Sequence, residues 1–100
     1  MEMAFLSTTD HQAEAGRRLR AAIDALGIKY VEAAALMGIS KNMLNNWMAG
    51  SAPVRAYELY RLCRATGVTA DWVLLNDPSG LPQRIAQRLR TAEAAPQPAD

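Results

Sequence analysis

The sequence predicts an all-α protein. Apolar residues recur at helical spacing in several stretches, and glycines or breaker clusters separate those stretches. Half of the residues are apolar, but runs rich in Val, Ile and Thr, which are typical of strands, do not occur. One hundred residues suffice for one small domain with a modest core, so the predicted helices must pack against each other.

Capping and breaker residues divide the chain into six predicted helices. The STTD sequence at 7–10 supplies N-cap residues for the first helix, and Gly27 ends it as a C-cap. Gly16 lies inside this first helix and weakens the prediction of its start. The predicted ranges are 10–26, 30–37, 41–49, 53–66, 70–75 and 81–94.

A tight turn is predicted between the second and third helices. Gly38 supplies a left-handed backbone conformation, and Ile39 directly after it faces the core. Ala34 has a small side chain four residues before the glycine, which lets two crossing helices approach closely. Ser40 then caps the third helix.

The third helix has an anchoring face and a polar face. At about 100° per residue, one face carries Leu44, Trp47 and Met48. The opposite face carries Asn42, Asn45, Asn46 and Ala49. Each asparagine costs roughly half a kcal/mol of helix stability relative to alanine, which favours a functional role. The alternative is that exposed asparagines only keep the surface soluble.

Turn and capping signals order the second half of the chain. Pro53 is predicted as the first residue of the fourth helix, and Thr69 as the cap of the fifth, which carries Asp71 in its first turn. The NDPSG sequence at 76–80 is a strong breaker. Beyond it, an amphipathic sixth helix carries an apolar stripe of Leu81, Ile85 and Leu89.

Positive charge is concentrated in the middle of the chain. Residues 16–66 contain eight Lys or Arg against three Asp or Glu, although the whole chain has a net charge of only +1. Arg84, Arg88 and Arg90 form a second basic cluster. A basic region of this kind favours a polyanionic partner, although solvated helices also commonly carry scattered arginines.

Several classes of protein do not fit the sequence. No apolar stretch approaches a membrane span, and the first residues lack a signal-peptide pattern, so a cytoplasmic location is expected. Cys63 is the sole cysteine, which fits a reducing compartment and a role in the core. His11 is the sole histidine, and no carboxylate pair flanks a nucleophile. We therefore expect no enzymatic activity, no cofactor and no metal.

Four segments in order resemble the Cro/repressor-type (XRE) helix-turn-helix family. They are GRRLR at 16–20, AALMGISKNMLNNWMAG at 34–50, Pro53, and GVTADWVLLND at 67–77. The resemblance implies a five-helix repressor-type helix-turn-helix bundle, here with an additional C-terminal helix. It implies a DNA-binding domain over 10–77, and the remaining predicted regions are a flexible start at 1–9, a helical arm at 78–93 and a disordered tail at 94–100.

The resemblance also assigns DNA-contacting residues. It implies that the third helix lies in the major groove, where its side chains read bases. The base-reading candidates are Lys41, Asn42, Met43, Asn45 and Asn46, and a half-buried packing role is the alternative for Met43. The candidates for phosphate contacts, which include backbone amides near Gly50 and Ser51, are Lys29, Tyr30, Ser51 and Arg55.

The implied function is a sequence-specific transcriptional regulator, most simply a repressor of phage type, that binds double-stranded DNA as a homodimer. The candidates for a dimer or partner surface are Trp72, Val73, Leu75, Leu81, Ile85 and Leu89. The alternative for the sixth helix is that it folds back on its own domain. The alternative function is a protein-binding adaptor, such as an antitoxin or antirepressor, because Leu36 and Met48 are apolar where the family is usually polar.

Overall fold

The protein is all-α, as the sequence predicted. In a computed structural model that describes residues 7–94, six helices and no strands are found among those residues. The helices are α1 (Thr8–Leu26), α2 (Tyr30–Met37), α3 (Lys41–Met48), α4 (Ala56–Thr66), α5 (Ala70–Leu75) and α6 (Gln83–Ala94). The predictions of a flexible start and a disordered tail fall mainly on 1–6 and 95–100, which lie outside the described residues.

The first helix begins two residues earlier than predicted. Ser7 is its N-cap, and the Ser7 hydroxyl oxygen accepts a hydrogen bond from the Asp10 amide at 3.1 Å. Asp10 consequently lies in the first turn, where its negative charge suits the helix dipole. Thr8 and Thr9, which fall in the predicted flexible start, are helical.

The prediction that α4 starts at Pro53 was wrong. Residues 53–55 are not helical, and Arg55 has an extended backbone conformation with φ −88° and ψ 139°. The Arg55 carbonyl accepts from the Leu59 amide at 3.0 Å, which makes Arg55 the residue that precedes the helix. Val54 in this segment packs against the core, so the extended backbone inserts an apolar side chain.

The sixth helix also starts later than predicted, at Gln83. Leu81 belongs to a turn, because its amide donates to the Pro78 carbonyl at 3.0 Å. The Pro82 carbonyl then accepts from the Ile85 and Ala86 amides. A proline at this position cannot donate a hydrogen bond, so it is well suited to precede the first turn.

The core is built around α1, which contacts α3, α5 and α6. Helix α2 packs against α3 and α4. All six helices contribute fully buried or nearly buried apolar side chains, which form one continuous cluster. The largest fully buried side chains are Leu19, Ile23, Met37, Leu44, Leu59, Leu62, Val68, Val73 and Ile85.

Gly16 sets the distance between α1 and α3. A Cβ atom at Gly16 would collide with the carbonyl oxygen of Trp47 and would lie 2.9 Å from that of Met48. The absence of a side chain therefore lets α1 pack directly against the backbone at the end of α3. This contact explains a glycine in the interior of a helix, where glycine costs roughly 0.8–1.0 kcal/mol relative to alanine.

Helix α6 folds back on its own domain. Its Ile85 and Leu89 side chains are buried in the core. The Arg88 guanidinium donates to the Ala25 carbonyl of α1 at 2.9 Å, and Arg84 donates to the Thr66 carbonyl of α4 at 3.4 Å. Of the two arrangements that the sequence allowed for this helix, the structure shows the packed one.

Replacement of Gly16 by alanine is expected to destabilise the protein. In an unhindered helix this change would stabilise, but here the new Cβ meets carbonyl oxygens of α3 and forces the helices apart. We expect a loss of about 1–3 kcal/mol in the free energy of unfolding, measured by urea titration followed by circular dichroism.

Gly80→Ala is the matched control, because a Cβ at Gly80 meets only the Thr69 methyl group at an ordinary 3.5 Å. It should change the stability little. A Gly16→Ala variant as stable as the wild type would contradict the proposed role of this contact.

Candidate nucleic-acid interface

The turn between α2 and α3 holds the two helices in a fixed relation. Gly38 adopts the predicted left-handed conformation with φ 77°, and the Ile39 amide donates to the Ala34 carbonyl at 3.0 Å. The Ser40 hydroxyl oxygen accepts from the Met43 amide at 3.0 Å and caps α3. Both ends of the turn are therefore closed by local hydrogen bonds.

Helix α3 is anchored from behind and polar in front. Leu44 and Trp47 are buried, and Trp47 is only 2 % exposed. Met43 and Met48 are half-buried and pack against the core. The exposed side chains on the opposite side are Lys41, Asn42, Asn45 and Asn46. The structure thus brings four of the five predicted base-reading residues to one exposed surface, with Met43 at its edge.

Two contacts hold Arg55 against α3, and a third joins it to Glu58 of α4. Its guanidinium lies 5.5 Å from the centroid of a Trp47 ring and donates to the Met43 sulfur at 3.5 Å. Its Nε lies 3.3 Å from a Glu58 carboxylate oxygen. Arg55 and Asn42 both line a groove beside α3. Stacking on an aromatic ring reduces the freedom of the guanidinium while its charge stays exposed.

Ser51 closes the C-terminal end of α3. Its amide and its hydroxyl both donate to the Asn46 carbonyl, at 3.0 and 3.1 Å. The Gly50 amide donates to the Trp47 carbonyl at 3.1 Å. These donors, which the sequence assigned to phosphate contacts, are therefore already paired within the chain, and satisfy carbonyls that the helix end leaves without intrahelical partners.

A second groove lies where α2 and α3 begin. It is lined by Lys29, Tyr30 and Lys41, and by Asp24 of α1. Lys29 precedes α2, and its amide donates at 3.1 Å to the carboxylate of Glu32, which accepts as the third helical residue does in a capping box. The structure thus brings two predicted phosphate-contacting residues next to Lys41, which is predicted to read bases.

The Tyr30 hydroxyl has a partner within the chain. It donates to the Asp24 carboxylate at 2.9 Å. Partial burial raises the pKa of Tyr30, and the hydrogen bond and negative charge of Asp24 raise the pKa further, against a smaller lowering by Arg20. The hydroxyl therefore remains a protonated donor at physiological pH, but it is directed at a carboxylate.

Much of the positive charge serves the fold. Four arginines donate to main-chain carbonyls at or near the C-terminal ends of helices, where positive charge is favourable. They are Arg18 to Val73 at 2.8 Å, Arg61 to Leu36 at 3.1 Å, Arg84 to Thr66 at 3.4 Å and Arg88 to Ala25 at 2.9 Å. The basic region seen in the sequence is therefore only in part a surface for a polyanion.

The predicted dimer or partner residues separate into two groups. Trp72, Val73, Ile85 and Leu89 are buried within the chain, so they are corrected from candidate surface residues to core residues. All four belong to the single buried apolar cluster, to which α6 contributes by folding back. Leu81 is half-buried. Leu75 alone among the six is highly exposed, at 71 %.

Further features complete the surface of the described residues. Among residues 7–94 no group of three or more His, Cys, Asp or Glu side chains is placed to hold a metal ion. No helix in that range is long and apolar enough to cross a membrane.

The sequence did not predict that Asp24 lies in the groove at the start of α2. Nothing in the sequence indicates that an acid on α1 lies next to Tyr30.

The packed α2–turn–α3 unit with its exposed polar helix defines a helix-turn-helix protein. A helix-turn-helix family model of the XRE type matches residues 19–73, more than half of the chain, so the chain belongs to this family. The family is one of DNA-binding transcription regulators. No curated protein and no solved structure gives a significant match.

We expect Asp24→Asn to strengthen binding to duplex DNA. The Asp24 carboxylate shares a groove with Lys29 and Lys41, so it opposes the approach of a phosphate. An asparagine keeps an oxygen that can accept from Tyr30 but removes the charge. Coulomb energies near a surface predict a gain of about 0.5–1 kcal/mol, which is a two- to fivefold increase in affinity that weakens with salt.

The measurement is fluorescence anisotropy with labelled random-sequence duplex at low salt. Asp77→Asn is the matched control, because Asp77 is exposed, lines neither groove, and its amide variant can still accept from the Ser79 amide. Equal affinity changes in both variants would show that Asp24 acts only through the net charge.

Proposed function

We propose that this chain is a sequence-specific transcriptional repressor that inserts α3 into the major groove of duplex DNA as a homodimer. The observation that carries the proposal is the exposed face of α3, which is rich in asparagine and rigidly anchored. An occupied site excludes other proteins from the same base pairs, which is the simplest route to repression. The residues assigned to base reading are Lys41, Asn42, Met43, Asn45 and Asn46.

The chemistry of this face suits base edges. An asparagine amide can pair bidentately with N6 and N7 of adenine, and a lysine can donate to guanine O6 or N7. Each good bidentate pair contributes about 1–3 kcal/mol of discrimination. Three asparagines and a single lysine make the face polar but low in charge, which favours base reading over general attraction to phosphate.

Phosphate contacts flank this face on two sides. Lys29 lies in the groove at the start of α2, and Arg55 is oriented beside α3 by Trp47 and Glu58. The Tyr30 hydroxyl donates to Asp24 and the Ser51 hydroxyl to the Asn46 carbonyl. Each must break that hydrogen bond before it can donate to a phosphate oxygen. Lys29 and Arg55 are therefore the stronger assignments.

A homodimer follows from the size of the reading surface. One recognition helix contacts only a few base pairs, and proteins with this motif gain affinity and specificity by binding two half-sites about one helical turn apart. A two-fold symmetric protein accordingly binds an inverted repeat.

A protein-binding adaptor is the second candidate, and the surface of α4 supports it. Tyr57 and Tyr60 are 64 % and 54 % exposed, and their rings stack with centroids 6.3 Å apart. Leu36 on the neighbouring α2 is also exposed. Exposed aromatic side chains are enriched at protein interfaces. This surface and the polar face of α3 lie on different helices, so an adaptor that uses α4 needs no DNA binding, whereas the regulator requires it.

The logarithm of the association constant for duplex DNA is expected to fall linearly with the logarithm of salt concentration, because phosphate contacts release counterions. Lys29→Ala and Arg55→Ala should each weaken binding to all sequences and reduce the magnitude of this slope by about one. Arg64→Ala, which removes the same charge from the last turn of α4, is the control and should leave the slope unchanged. Failure of the wild type to bind any duplex at low salt would reject the regulator in favour of the adaptor.

Asn45→Ala and Asn46→Ala are expected to relax base preference with little change in stability. Both side chains are exposed, and alanine is the better helix former, so the fold should be equal or slightly more stable. Selection from randomised duplexes, followed by sequencing, measures the preference at each position. Gln83→Ala on α6 is the matched control for the loss of an exposed amide. Unchanged preference in both asparagine variants would assign that face to solubility.

A further inference from the structure

Neither the packing of the helices nor the proposed binding of DNA by α3 accounts for the exposure of Leu75. It is the last residue of α5 and the most exposed of the large apolar side chains in the described part of the chain, at 71 %. Trp72, one helical turn earlier, is buried. An isolated exposed leucine needs no explanation, but the next residue, Asn76, and Trp72 both line an apolar groove.

The groove lies between α5 and α6 and has a volume of about 260 Å³. Most of its lining residues are apolar, and the other two are Asn76 and Arg90. Leu75 does not fill the groove of its own chain. The apolar residues that line it are Trp72, Pro78, Leu81, Ala86 and Leu89.

Charges around the groove are complementary to the exposed side of α5. Asp71 and Leu75 are four residues apart on α5, so they lie on the same side of the helix, and both are exposed. Arg90 is also exposed, and no described acidic residue forms an ion pair with it. One copy therefore carries both an apolar projection beside an acid and an apolar groove beside a base.

A surface of this kind is complementary to itself, which a two-fold dimer requires. We propose that two copies of this chain associate by placing Leu75 of each copy in the α5–α6 groove of the other, with Asp71 of each paired to Arg90 of the other. The inference rests on the homodimer of the proposed function and assigns its interface.

The position of this surface is compatible with DNA binding. The His11 ring nitrogen donates to the Leu74 carbonyl at 2.9 Å, which joins the end of α5 to the start of α1. The neighbouring Gln12 amide donates to the Gly50 carbonyl at 3.4 Å, in the loop after α3. The surface at Leu75 is thus connected through the start of α1 to the loop that follows α3, and no residue of α3 lines the α5–α6 groove.

Sedimentation velocity of the full chain without DNA tests the interface. The wild type should sediment as a dimer at micromolar concentrations. Leu75→Glu should raise the dimer dissociation constant by at least about tenfold, because it places a carboxylate in an apolar groove. Circular dichroism should show unchanged helix content, since Leu75 is exposed in the single chain.

Tyr60→Glu is the matched control, because it puts the same charge on the exposed apolar surface of α4. It should leave the dimer intact. Asp71→Arg and Arg90→Asp should each weaken the dimer, and the double variant should recover most of the lost affinity. A wild type that stays monomeric, a dimer that is unaffected by Leu75→Glu, or one that is broken by Tyr60→Glu instead would overturn the interface.

The two proposals fail separately. Dimerisation is measured without DNA, so a dimer that binds no duplex would retain this interface and reject the DNA-reading role. A monomer that still binds a single half-site in a salt-dependent manner would retain the DNA-reading role and reject this interface. Leu75→Glu should bind one half-site as the wild type does but lose the preference for two half-sites in an inverted repeat.

Discussion

The close approach of α1 to the end of α3 is the contact on which the rest of the structure depends. Because Gly16 has no side chain, α1 packs against the carbonyl groups of Trp47 and Met48. That contact holds the Trp47 side chain in the core, and Trp47 in turn supports Arg55 by stacking. The orientation of the polar face of α3 thus follows from a packing requirement on a different helix.

Arginines link the charge of the protein to its architecture. Each helix end leaves carbonyl groups without intrahelical partners, and four arginines from distant elements donate to such groups. These side chains fix α5 to α1, α4 to α2, and α6 to both α1 and α4. The charges near the predicted DNA-reading face are correspondingly few, which suits a protein that selects a sequence more than one that binds any polyanion.

Helix α6 completes the core and at the same time creates a new surface. Burial of Ile85 and Leu89 satisfies its apolar stripe within the chain. The groove that remains between α5 and α6 has apolar walls and lies beside an exposed leucine. An element outside the matched family range of 19–73 therefore supplies half of the interface that we assign to the dimer.

Local sequence was sufficient for the helices, the turn at Gly38 and the two faces of α3, because each depends on residues within one or two helical turns. Local sequence did not predict the start of α4, because Val54 packs on residues distant in the chain. Nor did it predict the roles of Arg84 and Arg88, the acid beside Tyr30, or the difference between buried Leu89 and exposed Leu75. In the sequence, a residue that packs in the fold cannot be told from one of the same type that stays exposed. Only long-range contacts place one in the core and another at the surface.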